Sequence, residues 1–209
     1  MKRTGSPESR KIHAKESFKN AAECIGDIYP GKRLFAVTRG QWSMIDAILH
    51  CLDQVGLARV TVWTWTIAEY EVQVFERLIL DDRITGALLV IDYGARNKNG
   101  RLLHRWRNRF GDSSVKSTVN HAKIATIETE SGIKLLLRGS MNLNFNPRFE
   151  QFDMSEGCDG FELVRKIENE LPVLPERASS TEIYSAAKVG QAFDTQTLDM
   201  FRNIKVWAK

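Results

Sequence analysis

The chain has 209 residues, of which 43% are hydrophobic and 27% charged, with a net charge of +4. That length supports one sizeable core, and the balance excludes a disordered or collagen-like chain. No apolar run reaches the length of a membrane span. Three cysteines without paired spacing, Cys24, Cys51 and Cys158, argue against a disulfide scaffold, so a reduced, cytoplasmic setting is expected.

Residues 1–20 are polar and mixed in charge and read as a flexible arm or a weakly anchored helix. Lys2, Arg3, Arg10 and Lys11 have no apolar stretch behind them, so no secretory signal is expected. Leu34 to Thr38 is a short strand. Gln41 to Leu52 follows as a helix with Met44, Ile45, Ile48 and Leu49 on one side. Val60 to Trp65 is a second strand, Ala68 to Leu80 a second helix, and Ile84 to Asp92 a third strand. Arg101 to Phe110 is a basic helix. This alternation predicts an α/β fold with a mixed, largely parallel sheet flanked by helices.

The rhythm then changes. Asn120 to Thr129 and Ile133 to Arg138 are strand-like runs joined by Glu130-Ser131-Gly132, a hairpin signal. Beyond Asn142 lies a loop containing Asn and Phe. Gly160 to Leu171 reads as a helix with Phe161, Leu163, Val164 and Ile167 on its packing face. After the prolines at 172 and 175, Ser180 to Ala192 reads as a further helix with Glu182 in its first turn. The expected divisions are an arm over 1–20, an α/β domain over 21–174 and a helical extension over 175–209.

Chemistry concentrates between His121 and Asp153. Strand periodicity gives His121 and Lys123 one face. An imidazole can attack phosphorus or move a proton, and an ammonium beside it can hold phosphate oxygens. Ser140 and Asn142, also two apart, add neutral donors, and Gly139 allows close backbone approach. A working histidine needs an acceptor to fix its ring, and Glu150 or Asp153 is placed to supply one. Taken singly, each of these residues reads as an ordinary surface or structural group. It is their combination that points to a phosphodiester.

That combination resembles the phospholipase D superfamily, whose signature is His-x-Lys, four residues, Asp, then Gly-Ser-x-Asn. His121 and Lys123 match the first part. Glu128 stands in the place of the Asp, and Gly139, Ser140 and Asn142 match the second part after a longer hairpin. Asn144 takes the place of a further polar residue, and Gln151-Phe152-Asp153 resembles the family's downstream Asn-x-Glu. The resemblance covers roughly residues 30 to 170.

It implies metal-independent hydrolysis through a phosphohistidine, with no cofactor. A second histidine protonates the leaving group. The chain has no internal repeat and one copy of the motif, so the resemblance implies a homodimer that brings two His121 residues together. Lys98, Arg101, Arg105, Arg107, Arg109 and Lys116, with Arg96 and with Trp106 among them, read as a basic patch for a nucleic-acid backbone and a stacked base. The plainer reading is a solvated helix face or partners for the acidic stretch from Glu150 to Glu170. Trp63 and Trp65 share a strand face and read as core or dimer interface before groove lining. Two alternative functions are a DNA-binding module without catalysis and a lipid or small-molecule phosphodiesterase. No interfacial helix or apolar anchor favours lipid, and no membrane partner is expected.

Overall fold

Apolar alternation builds the centre of a single sheet. In the computed structural model, which describes residues 13–16, 19–175 and 178–187, eight strands form it. They are β1 (His13–Glu16), β2 (Arg33–Thr38), β3 (Ala58–Thr64), β4 (Ile84–Asp92), β5 (Val115–Thr118), β6 (Lys123–Thr129), β7 (Lys134–Gly139) and β8 (Glu150–Glu156). The spatial order is β1-β2-β8-β7-β6-β3-β4-β5. The sheet is mixed and helix-flanked, as expected from the sequence. Its parallel pairings are β1–β2, β3–β4 and β4–β5. The four central pairings, β2–β8, β8–β7, β7–β6 and β6–β3, are antiparallel, a larger share than the strand–helix rhythm suggests.

The helices are α1 (Ala21–Ile25), α2 (Met44–Val55), α3 (Glu69–Leu80), α4 (Tyr93–Lys98), α5 (Gly100–Phe110), α6 (Asp159–Glu170) and α7 (Ser180–Ala187), with a 3-10 turn at Asp112–Ser114. Helix α2 begins three residues later than its periodicity predicts. Ser43 caps it, and the Asp46 carboxylate accepts from the Ser43 backbone N–H and hydroxyl at 2.7 Å each.

Val60, Val62, Leu89, Ala125, Ile127, Leu135, Leu137, Phe152 and Met154 fill one face of the sheet, packed with Ile45, Ile48, Phe75 and Trp106 from the helices. Burying a side chain of this size contributes about 1.5–3 kcal/mol each. The opposite face is covered by α6, whose Phe161 and Val164 meet Leu136. Leu163 and Ile167, expected on that packing face, are exposed instead. The third member of the buried stripe is Glu168.

Several elements were not expected. His13–Glu16, within the stretch read as an arm, pairs with β2. β5 and α4 are too short to carry a periodic signal. β8 replaces the loop read after Asn142 and lies between β2 and β7. In the C-terminal stretch, Ile183 of α7 is buried, and the Ala178 carbonyl accepts from Arg96 Nη2 at 2.7 Å. The part of the expected helix beyond Ala187 lies outside the described residues.

Candidate functional site

Strands β3, β4, β7 and β2 end, and β6 and β8 begin, at one end of the sheet. Every polar group that leaves those termini therefore converges there. Asn120 organises the approach to β6. Its side-chain amide donates to the Thr64 carbonyl at 3.1 Å, its backbone N–H donates to Asp92 Oδ2 at 3.0 Å, and its Oδ1 accepts from Ala122 N at 2.9 Å. These bonds pin the two residues that precede Lys123 across the ends of β3 and β4.

His121 lies in this pinned turn, exposed, just before β6 rather than on it. Lys123 opens the strand and is buried. The strand periodicity expected to give them one face does not reach His121, but the two side chains meet. Lys123 Nζ donates to the His121 carbonyl at 2.7 Å and sits 3.1 Å from Nδ1 and 3.4 Å from Nε2 of the ring. Burial lowers the Lys123 pKa from its ordinary value, and the charge of nearby Glu150 partly restores it.

Gly139 faces Lys123 across the β6–β7 ladder. A Cβ at Gly139 would lie 2.2 Å from the Gln151 carbonyl oxygen, so only glycine fits where β7 meets β8. That close approach delivers Ser140. Its backbone N–H donates to Gln151 O at 3.0 Å, its hydroxyl accepts from Gln151 N at 2.9 Å, and the same hydroxyl donates to Glu150 Oε2. Glu150 Oε1 accepts from Asn146 Nδ2 at 3.2 Å. Asn142 follows on the same loop, and its Oδ1 is buried without a hydrogen-bond partner. Gly40, at φ +75°, packs against Asn146 O and Arg148 N, where a Cβ would come within 2.6 Å, and so holds this loop against the end of β2.

The structure therefore brings His121, Lys123, Ser140 and Glu150 into one cluster, with Asn142 two residues after Ser140 on the loop. Two expected members stand elsewhere. Glu128 lies at the far end of β6 and on the opposite face, 3.4 Å from Arg165 and 3.9 Å from Lys134. Asp153 also takes the opposite face, where Arg138 Nη2 donates to it at 3.0 Å. Strand parity is the cause: Glu150, Phe152 and Met154 point to one side of β8, and Gln151, Asp153 and Ser155 to the other. The carboxylate at this site is thus Glu150, and Gln151-Phe152-Asp153 does not fill the role given by its resemblance to Asn-x-Glu.

The basic patch is largely committed to structure. Trp106 is 0% exposed, packed between Phe75 and Phe110, and offers no ring to a base. Arg105 bridges Glu69 and Glu76, and Arg101 pairs with Glu69 at 3.3 Å. Lys116 Nζ closes the end of α6, donating to the Glu168 and Leu171 carbonyls at 2.5 and 2.6 Å. Arg96 is buried. Lys98 and Arg109 are exposed, and Arg107 is half-buried in a cavity with Asp112 and Val173 to Pro175. Neither that cavity nor another lined by Arg59 and Gly86 includes any of the clustered groups.

Trp65 is expected in the core or a dimer interface before a groove. It leaves the end of β3 exposed, with its ring centroid 6.5 Å from that of His121. Its expected companion Trp63 is instead half-buried and donates Nε1 to Glu168 at 3.0 Å. Cys51 is no hidden nucleophile, because burial pushes its thiol up to about 12. Among the described residues no group of three or more His, Cys, Asp or Glu is disposed to hold a metal, and no helix is long and apolar enough to cross a membrane.

Fold and site together define a mixed α/β protein with a His–Lys–Ser–Glu cluster at one end of its sheet. No family model matches the chain, and no curated protein matches it in sequence. Among solved structures it is similar to a phospholipase D family member, Nuc, from Salmonella typhimurium. That likeness has a TM-score of 0.42 and 12% identity, over 66% of this chain and 91% of the other.

Proposed function

We propose that the protein is a phosphodiesterase acting on nucleic acid, with His121 as nucleophile and two chains sharing one site. The observation that carries this reading is the contact of Lys123 Nζ with both ring nitrogens of His121, within a cluster that also holds Ser140 and Glu150. Nζ lies at nearly equal distances from the two ring nitrogens, so the contact sets a cation beside the imidazole and its directed hydrogen bond goes to the His121 carbonyl. A bound phosphate oxygen competes for the same ammonium. With Lys123 turned to the phosphate, the imidazole stands beside the phosphorus that its lone pair attacks.

The balance of the reaction follows. A His121 nitrogen forms a bond to phosphorus while the bond to the leaving oxygen breaks. A second copy of His121, from the other subunit, gives that oxygen its proton. The second ring then takes a proton from water, the water oxygen bonds to phosphorus, and the P–N bond breaks. Lys123 and the Asn142 amide hold the non-bridging oxygens, and Ser140, fixed by Glu150, borders them. The charge on phosphorus is carried by these groups without a metal. The departures from the motif at Glu128 and Asp153 do not count against this chemistry, since both lie on the other face of the sheet.

Labelled DNA incubated in EDTA tests the reading. Wild-type protein is expected to cleave it, and His121→Ala to lose at least about a thousandfold in rate while binding is kept. Cleavage that survives in the variant, or that EDTA abolishes, overturns the assignment. A DNA-binding module cleaves nothing in either form. A phosphodiesterase for lipids or small molecules turns those over instead and shows no salt-dependent DNA affinity.

A further inference from the structure

A working histidine needs its ring set in one direction, and a carboxylate on the far nitrogen is the usual device. His121 is held differently. Among the described residues its ring has the Lys123 ammonium and the Trp65 ring as its hydrogen-bond and aromatic partners. Glu150 accepts instead from Ser140 and Asn146. The restraint lies in the backbone that carries the imidazole.

The β3–β6 ladder ends at the pair Trp63–Ile124, so the chain just before Lys123 lies outside it. The Asn120 side chain takes over where the ladder stops. Asn120 is 5% exposed. Its Oδ1 accepts from Ala122 N at 2.9 Å, and its Nδ2 donates to the Ala122 carbonyl at 3.3 Å and to the Thr64 carbonyl at 3.1 Å. The bonds to Ala122 close an Asx turn with His121 at its centre. The bond to Thr64 ties that turn to the end of β3. The Asn120 backbone N–H adds a bond to Asp92, whose other carboxylate oxygen accepts from Gly94 N at 2.9 Å at the start of α4. Both neighbours of His121 are thereby fixed, and its side chain is left exposed between them. Thr64 also precedes Trp65, whose ring centroid is 6.5 Å from that of His121, close enough for the rings to interact. An amide that only capped β3 would need the Thr64 bond alone; the bonds to Ala122 belong to the turn around His121.

We infer that Asn120 is a positioning residue for His121. It closes the turn that carries the imidazole and locks that turn to β3, in place of a carboxylate on the ring. The inference rests on the phosphodiesterase reading for what the imidazole does, but its first test is read without turnover.

The ring current of an indole shifts the NMR signals of protons near it, so the His121 ring signals report where the imidazole stands relative to Trp65. The size of that contribution is the difference between the wild-type full chain and Trp65→Leu. Asn120→Ala is expected to lose most of it and to leave unmoved the signals of His50, whose Nε2 lies 3.0 Å from the Gly26 carbonyl in another part of the protein. On labelled DNA the same variant is expected to lose about 10- to 100-fold in kcat with KM within about twofold. Asn120→Ser keeps a hydroxyl that can accept from Ala122 N and is expected to recover part of both. It also carries the comparison if Asn120→Ala does not fold, which thermal unfolding reads. His121 signals that stay at wild-type values in Asn120→Ala, a His50 shift of equal size, or a loss that falls on KM with kcat kept overturns the inference. Failure of the wild-type protein to cleave DNA would instead remove the phosphodiesterase reading, and the His121 shift still decides whether Asn120 sets the ring.

Discussion

Each face of the sheet carries a cluster of carboxylates and cations, and the two are built to opposite ends. On the α6 side, Glu168 is 1% exposed and accepts from Trp63 Nε1 at 3.0 Å, Arg165 Nη1 at 2.8 Å and Thr61 Oγ1 at 3.4 Å. Its neighbours close in turn, with Arg165 meeting Glu128 and Lys134 meeting Glu162. On the other side Glu150 is held by Ser140 and Asn146, but His121 is exposed and Asn142 Oδ1 meets no donor. The first cluster has spent its hydrogen-bonding capacity on docking a helix. The second leaves the His121 ring exposed at the end of the sheet.

Substitutions should separate the two by what they damage. Glu168→Ala removes the buried acceptor and leaves Arg165 and the Trp63 indole without it. Loss of one member of a buried charge pair costs about 3–5 kcal/mol, measurable by urea unfolding, whereas His121→Ala should leave stability nearly unchanged. If Glu168→Ala unfolds at the wild-type midpoint, the closed cluster is not what docks α6. Gly139→Ala should cost about 1–3 kcal/mol through overpacking against Gln151 and should displace Ser140, lowering turnover as well. A variant with full rate and stability would show that the β7–β8 approach is not constrained.

The smallest effect concerns pH. Because burial lowers the Lys123 pKa, the ammonium is lost at a pH below the ordinary lysine range, and the alkaline limb of the rate profile should fall there. The sign for stability is the reverse. The unfolded chain keeps its proton to higher pH than the folded one, so between the lowered and ordinary values the Lys123 contribution rises with pH. Glu150→Gln removes the charge that raises this pKa and should move the limb further down. A limb that does not move identifies another titrating group.

Much of the frame was legible because its signals are local. Ile84 to Asp92 is apolar enough to be read residue for residue as β4, and the helices over Met44–Val55 and Glu69–Leu80 follow from their apolar stripes. β8 was missed because Glu150, Gln151, Asp153, Ser155 and Glu156 make it polar, although Phe152 and Met154 alternate correctly. Its strand character comes from its two neighbours, which supply backbone partners on both sides. Leu163 and Ile167 were assigned to a packing face by hydropathy, but Glu168 and Arg165 take the positions beneath α6 where partners satisfy them.

The sequence by itself determined the local spacing of the candidate groups. A two-residue step brings His121 and Lys123 together, and the glycine before Ser140 admits the neighbouring strand. Only the tertiary structure decided which carboxylate joins them and which aromatic ring faces the solvent. Pleat parity turns Glu150 toward Lys123 and Asp153 away. Packing seals Trp106 beneath α3 and leaves Trp65 beyond the end of β3, because burial depends on what covers a side chain and not on its type.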